Sequence, residues 1–167
     1  MQVPAALVEL VEPWSSAYGD SAVLPTLVTF GHIAALVFAG GLAVTLDRGT
    51  LRAARGSSEL RWRQLKDLEN AHRLVVVGLG LSLFTGVLML AADLETYLVS
   101  WIFWTKMALI VVLLVNGYRM TRLEARIAST PNAADAAGWT GLRVTAAVSM
   151  LLWFAIAFAG VALVNMA

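Results

Sequence analysis

The chain has 167 residues, 59% of them hydrophobic and 14% charged, with a formal net charge of +1 and no cysteine; its mean hydropathy is +0.76. A water-soluble fold cannot hide that much apolar side chain, and the lack of cysteine excludes disulfides, thiolate chemistry and c-type haem attachment. The small net charge conceals a segregation: eleven of the twelve Lys and Arg residues fall in 47–73 and 119–143, and the remaining one, Lys106, lies inside an apolar run.

Residues 1–21 carry Glu9, Glu12 and Asp20 and no basic side chain, so they lack the charged start of a secretory signal peptide. Pro4 to Val11 is expected to form a brief interfacial helix between two prolines, with Trp14 and Tyr18 at headgroup depth. The first predicted span is about 22–46 and ends at Asp47-Arg48; at about 1.5 Å rise per residue it crosses a ~30 Å hydrocarbon core. Residues 47–73 are predicted as a helical hairpin extension that protrudes into the cytoplasm. Ser57-Ser58-Glu59 would cap its second helix, and the Glu59/Arg63 and Arg63/Asp67 pairs lie one turn apart. The second span is 74–92, with His72 and Arg73 as an interface pair at its mouth. A short turn carrying Asp93 and Glu95 leads to the third span, 98–120, opened by Tyr97, Trp101, Phe103 and Trp104. Thr130-Pro131 pairs a cap residue with proline at a first helical position, so the fourth helix is expected to start well before its span, 142–164.

The whole chain, 1–167, therefore reads as one all-α integral membrane domain, a four-helix bundle of antiparallel, up-down topology. Basic loops are retained on the cytoplasmic side, which puts both termini on the extracytoplasmic face of a bacterial inner membrane. The same rule accounts for the basic loops without nucleic acid. The expected partners are the lipid bilayer and other chains of a larger membrane complex.

Small residues line the spans: Ala34, Ala35, Ala39, Gly40, Gly41 and Ala43 in the first, Gly78, Gly80 and Gly86 in the second, and Ala155, Ala157, Ala159 and Gly160 in the fourth. They let backbones approach closely, which drives association where no water is displaced. Gly78-Leu79-Gly80 lies inside a span with no strand before it, so it reads as packing and not as a nucleotide loop.

The chemically capable residues in the apolar zone are His32, Lys106, Asn116, Thr85, Ser82, Ser149 and the methionines Met89, Met107 and Met150. Ionisable groups at such depth are costly and face the bundle interior or water. Counted from the outer edge, His32 lies ~15 Å deep and Lys106 and Thr85 ~10 Å deep, so they share a layer; Asn116 belongs to the same intramembrane polar set. His72 is ~30 Å from that edge, so His32 and His72 cannot clasp one haem. His32 and Met107, at similar depth, are the candidate axial pair for haem b or copper, the alternative being a histidine hydrogen-bonded to a neighbouring helix with Met107 as packing. Lys106 is expected to snorkel toward Asp93 or Glu95, or else to lie beside His32 as a like charge.

These residues carry a resemblance. His32 followed by Gly40-Gly41 and Asp47-Arg48, His72 with Thr85-Gly86, Phe103-x-x-Lys106 with a later Asn116, and Arg143, Ser149, Trp153 and Gly160 together resemble uncharacterised four-span bacterial membrane proteins akin to the copper-resistance protein D family. The resemblance implies a four-helix bundle related to membrane cytochrome-like and copper-handling proteins, without an established activity. Met-rich and acidic copper-capture patches of a dedicated importer are not evident.

Three functions follow as expectations. The first is a small redox-associated membrane protein binding haem or copper near His32. The second is a non-catalytic accessory subunit of a respiratory or photosynthetic complex. The third is proton or small-solute transport past His32 and Lys106, ranked last because the inner half of the spans offers little beyond Asn116, Ser82 and Ser149. Catalysis is disfavoured, since no carboxylate pair, Ser/His/Asp set or HExxH spacing is evident.

Overall fold

Each apolar stretch is flanked by polar residues that are themselves helix formers, so the helices outrun the hydrophobic segments that nucleate them. The computed structural model describes residues 3–129 and 137–166, and among these residues it contains six helices and no strand. They are α1 (Ala5–Asp20), α2 (Val23–Ala53), α3 (Ser58–Ala92), α4 (Leu94–Val99), α5 (Trp101–Ala128) and α6 (Ala137–Met166). Helices α2, α3, α5 and α6 are long and apolar enough to cross a membrane, and the chain is a multi-pass membrane protein. At 31 and 35 residues, α2 and α3 are roughly 46 and 52 Å long, well beyond the ~30 Å of hydrocarbon.

Contacts fix the neighbours. Gly78 approaches Ala39 so closely that a Cβ on it would stand 2.8 Å from the alanine methyl, and a Cβ on Gly40 would meet the Trp153 ring at 2.9 Å. Such seams hold α3 against α2 and α6 against α2 through backbone proximity. Asn116 Nδ2 donates to the Thr145 carbonyl at 2.9 Å, tying α5 to α6 in the buried interior. The order around the bundle is therefore α3, α2, α6, α5, and α3 and α5 have no extensive packing on each other. The outward faces are greasy: Phe30, Leu151 and Phe158 are among the large apolar side chains left exposed, as lipid contact requires.

The basic stretch 47–73 takes part in the core. Ala53, Leu65, Leu68, Met120, Ile127, Trp139, Leu142 and Ala146 form one buried cluster, so the α2–α3 hairpin is walled in by the end of α5 and the start of α6. Trp139 is the anchor, 1% exposed, with the Arg61 guanidinium 5.8 Å from its ring centroid. Arg61 also donates from Nε to the Ala53 carbonyl at 3.3 Å and from a terminal nitrogen to the Ala54 carbonyl at 3.2 Å. It thus supplies donors to the last carbonyls of α2, that of Ala53 also accepting from the Gly56 N–H at 3.0 Å, and a cation there suits the helix dipole. Arg61→Ala is expected to lower the thermal midpoint in detergent by ~3–6 °C, the equivalent of about 1–2 kcal/mol. An unchanged midpoint would remove this capping role.

Ser57 is the N-cap of α3, as its sequence suggests, but its side chain makes no capping bond. Arg63 pairs with Glu59 at 2.9 Å and not with Asp67. At the other end, the expected short interfacial helix is longer: α1 runs through Pro13 to Asp20 and lies against the end of α3. Trp14 Nε1 donates to the Leu88 carbonyl at 2.8 Å and Ser15 Oγ to the Ala92 carbonyl at 2.9 Å. These side chains serve carbonyls of the last turn of α3, the second of them without an intrahelical partner. The turn between the second and third spans holds α4, capped by Asp93, whose carboxylate accepts from the Thr96 backbone N–H at 3.1 Å. Burial, with Asp93 and Tyr18 close by, pushes the Tyr97 phenol up, so it stays un-ionised beside α1. The Thr130-Pro131 cap lies outside the described residues.

Candidate functional site

Three layers occupy the bundle interior. In the layer nearer α1 and α4, His32 on α2 stands half-buried against α3. Its Nδ1 lies 3.0 Å from the Ser82 carbonyl and 3.1 Å from Thr85 Oγ1. A carbonyl only accepts, and the Thr85 hydroxyl already donates to the Leu81 carbonyl at 2.8 Å, so Nδ1 carries the proton. That tautomer leaves Nε2 with its lone pair. Gly86 makes room for the ring, since a Cβ there would come within 3.3 Å of the imidazole Cε1. Lys106 does not reach out to Asp93 or Glu95. Its Nζ packs over Gly160 on α6, 3.6 Å from where a Cβ would stand.

The structure thus brings His32 and Thr85 together, sets Lys106 against Gly160 of α6, and leaves Asn116 ten residues further along α5, bonded to α6. Met107, next to Lys106, is half-buried and belongs to neither apolar core cluster. Among the described residues, no three His, Asp or Glu side chains converge as a metal-ligand group.

The middle layer is apolar. Ala39, Ala43, Leu113, Trp153 and Ile156 form a buried cluster with Trp153 seated on Gly40. No ionisable side chain contributes to it.

Beneath that layer, toward the basic end, lies a cavity of about 310 Å³. α2 and α6 form its back with Ala43, Asp47, Ser149 and Trp153, and α3 and α5 form its walls. Because those walls have no extensive packing on each other, the cavity opens sideways between them, where Val76, Leu114 and Tyr118 are exposed. Most of the lining is apolar, but Asp47, Glu124, His72 and Ser149 belong to it, together with Thr121 and the Tyr118 phenol. Asp47 is 2% exposed and its Oδ2 has no hydrogen-bond partner among the described residues. The Ser149 hydroxyl faces the same carboxyl. Glu124 is half-buried across the cavity, and His72 stands exposed at its mouth, with Arg73 beside it outside the lining.

The cavity shows what the linear reading missed. Asp47 reads as a span-end marker and Glu124 as a loop residue, so the bundle interior appears to hold no carboxylate pair. Both belong to buried seams. Asp47 continues the i, i+4 row Ala35, Ala39, Ala43, which is buried throughout. Glu124 follows Leu113, Asn116 and Met120 at the same helical spacing and precedes Ile127. Extending the buried stripe past the first charge was the available signal.

Comparison of the chain with protein families, curated proteins and solved structures finds no match.

Proposed function

We propose that this protein moves protons or small cations across a bacterial inner membrane, with its arginine-rich end cytoplasmic and both termini outside. The single observation that carries the reading is the cavity holding the Asp47 carboxyl. A channel or carrier needs polar groups at every depth, and the inner half of the bundle has them in Asp47, Glu124 and His72. His32 and Lys106 supply the outer half. The two polar compartments are about 22 Å apart along α2, from His32 to Asp47, and the Trp153 layer separates them. An apolar constriction between two wet, charged compartments blocks an ion until the layer moves, which is how a gate works. His32 Nε2, with its lone pair free while Nδ1 is held, is the atom that takes up and releases a proton on the outer side.

The test is proton flux in liposomes under a potassium diffusion potential, followed with an internal pH-sensitive dye. Wild-type vesicles are expected to acidify or alkalinise with the sign of the imposed potential, and His32→Ala to reduce the rate by about tenfold or more, in keeping with loss of a proton-transfer group. Wild-type vesicles no faster than protein-free ones would end the proposal.

A second reading has one observation in its favour. A metal- or haem-ligating histidine normally donates its other ring N–H to a carbonyl, as Nδ1 of His32 does to Ser82. The resemblance to the copper-resistance protein D family points the same way. A Soret band or stoichiometric copper in protein purified from its own membranes, lost in His32→Ala, would support it; colourless, metal-free protein would dismiss it.

A further inference from the structure

We infer that the cavity between α3 and α5 binds a lipophilic organic monocation, an amine or quaternary nitrogen attached to a ring or two, which enters from the side through the membrane. The inference takes the cavity from the reading of it as the inner compartment of a transport route and names a ligand that the cavity accepts.

Charge, shape and access all bear on the occupant. A carboxyl that is 2% exposed with an orphaned oxygen is a costly feature, because a buried acceptor without a partner forfeits the hydration it had in water. Charged and polar groups on each adjoining helix have been placed: His72 and the more distant Gln64 on α3, Glu124 on α5, and Ser149 on α6. Gln64 is turned away, donating to the Leu46 carbonyl at 3.0 Å and to Thr50 Oγ1 at 3.1 Å. No Lys or Arg lines the cavity, Arg122 at its rim is held by the Tyr118 hydroxyl and ring, and among the described residues neither Asp47 nor Glu124 forms an ion pair. The site is therefore acidic without a built-in counter-charge, and what complements it is a positive ligand.

The remainder of the lining decides which cation. A hydrated inorganic ion would face walls of Leu68, Val75, Leu79 and Leu113, which offer it nothing in place of its water. Asp47, Glu124 and His72 line the cavity without drawing together as metal ligands do. An organic cation with apolar bulk is suited on both counts. Its charge pairs with the carboxylates, and its rings pack on Trp153, whose face attracts cations, while the Tyr118 ring at the rim is already occupied by the Arg122 guanidinium. The volume of about 310 Å³ falls at the lower end of ordinary small-molecule sites. The lateral opening is flanked by exposed Val76 and Leu114, so the path from bilayer to carboxylate is apolar until its end.

The probe is 1-methyl-4-phenylpyridinium, titrated calorimetrically into the full chain in nanodiscs, with the neutral isostere 4-methylbiphenyl as control. The cation is expected to bind saturably at one site per chain, with the neutral compound failing to compete. Asp47→Asn should weaken it by about a hundredfold and Glu124→Gln by about tenfold, as loss of one partner from a desolvated charge pair implies. Equal binding of both compounds, or unchanged cation affinity in Asp47→Asn, overturns the inference, and the thermal midpoint of each variant shows that it is folded. Proton flux on the same preparations separates the two proposals: flux without cation binding leaves the transport reading standing and removes this one, and binding without flux does the reverse.

Discussion

Asp47→Asn is expected to abolish flux and, at the same time, to raise the thermal midpoint of the protein by ~3–8 °C, the equivalent of about 1–3 kcal/mol. The two effects have one cause. The carboxyl is buried with one oxygen unpartnered, facing only the Ser149 hydroxyl and set across a cavity from Glu124. An asparagine has the same shape and hydrogen-bond reach but no charge to bury, so the bundle loses a destabilising element. It equally loses the group that pairs with a cation. Functional sites commonly hold such unfavourable features, and removing them stabilises the fold at the cost of activity. The measurement is thermal unfolding in detergent alongside liposome flux, with Asp47→Glu as companion. A lower midpoint in Asp47→Asn would mean that the carboxylate is a structural partner, and the functional assignment of the cavity would fall with it.

The second large effect is at the middle layer. Trp153 is 6% exposed, and its ring lies over Gly40 so closely that a Cβ there would stand 2.9 Å away. Trp153→Ala removes the largest member of the cluster that includes Ala39, Ala43, Leu113 and Ile156. Deleting a buried indole costs ~3 kcal/mol or more, because the helices relax only partly into the void. In lipid this cost falls on packing contacts, since apolar groups gain little by moving from acyl chains to a protein core. The functional consequence is separate. The void joins the His32 layer to the cavity, so proton flux should exceed that of wild type and lose its dependence on His32. Trp153→Phe, which keeps a ring on Gly40, should stay tight. A Trp153→Ala variant that folds and conducts no faster than wild type would show that this layer is not the barrier.

Much of this was legible in one dimension. Hydropathy marks the four helices that are long and apolar enough to span, because that property accumulates over about twenty residues and tolerates small errors of register. The common depth of His32 and Thr85 follows from rise per residue, and the two side chains meet at 3.1 Å. Lys106 shows the limit of the same arithmetic. Its depth admits either a reach outward to Asp93 or a turn inward, and in the folded chain it lies inward, its ammonium group over Gly160 of α6.

The sequence by itself determined that this chain is helical, with four stretches long and apolar enough to cross a membrane, and where along each helix its polar residues fall, since position along a helix is a matter of counting. Only the tertiary structure decided which way those residues face and which helices are neighbours. Rotation about a helix axis is set by where small residues let backbones meet, at Gly40 against Trp153 and Gly78 against Ala39. Those meetings turn Asp47 and Glu124 into a common cavity. They come from residues distant in the chain, and so the acidic pair is formed by packing.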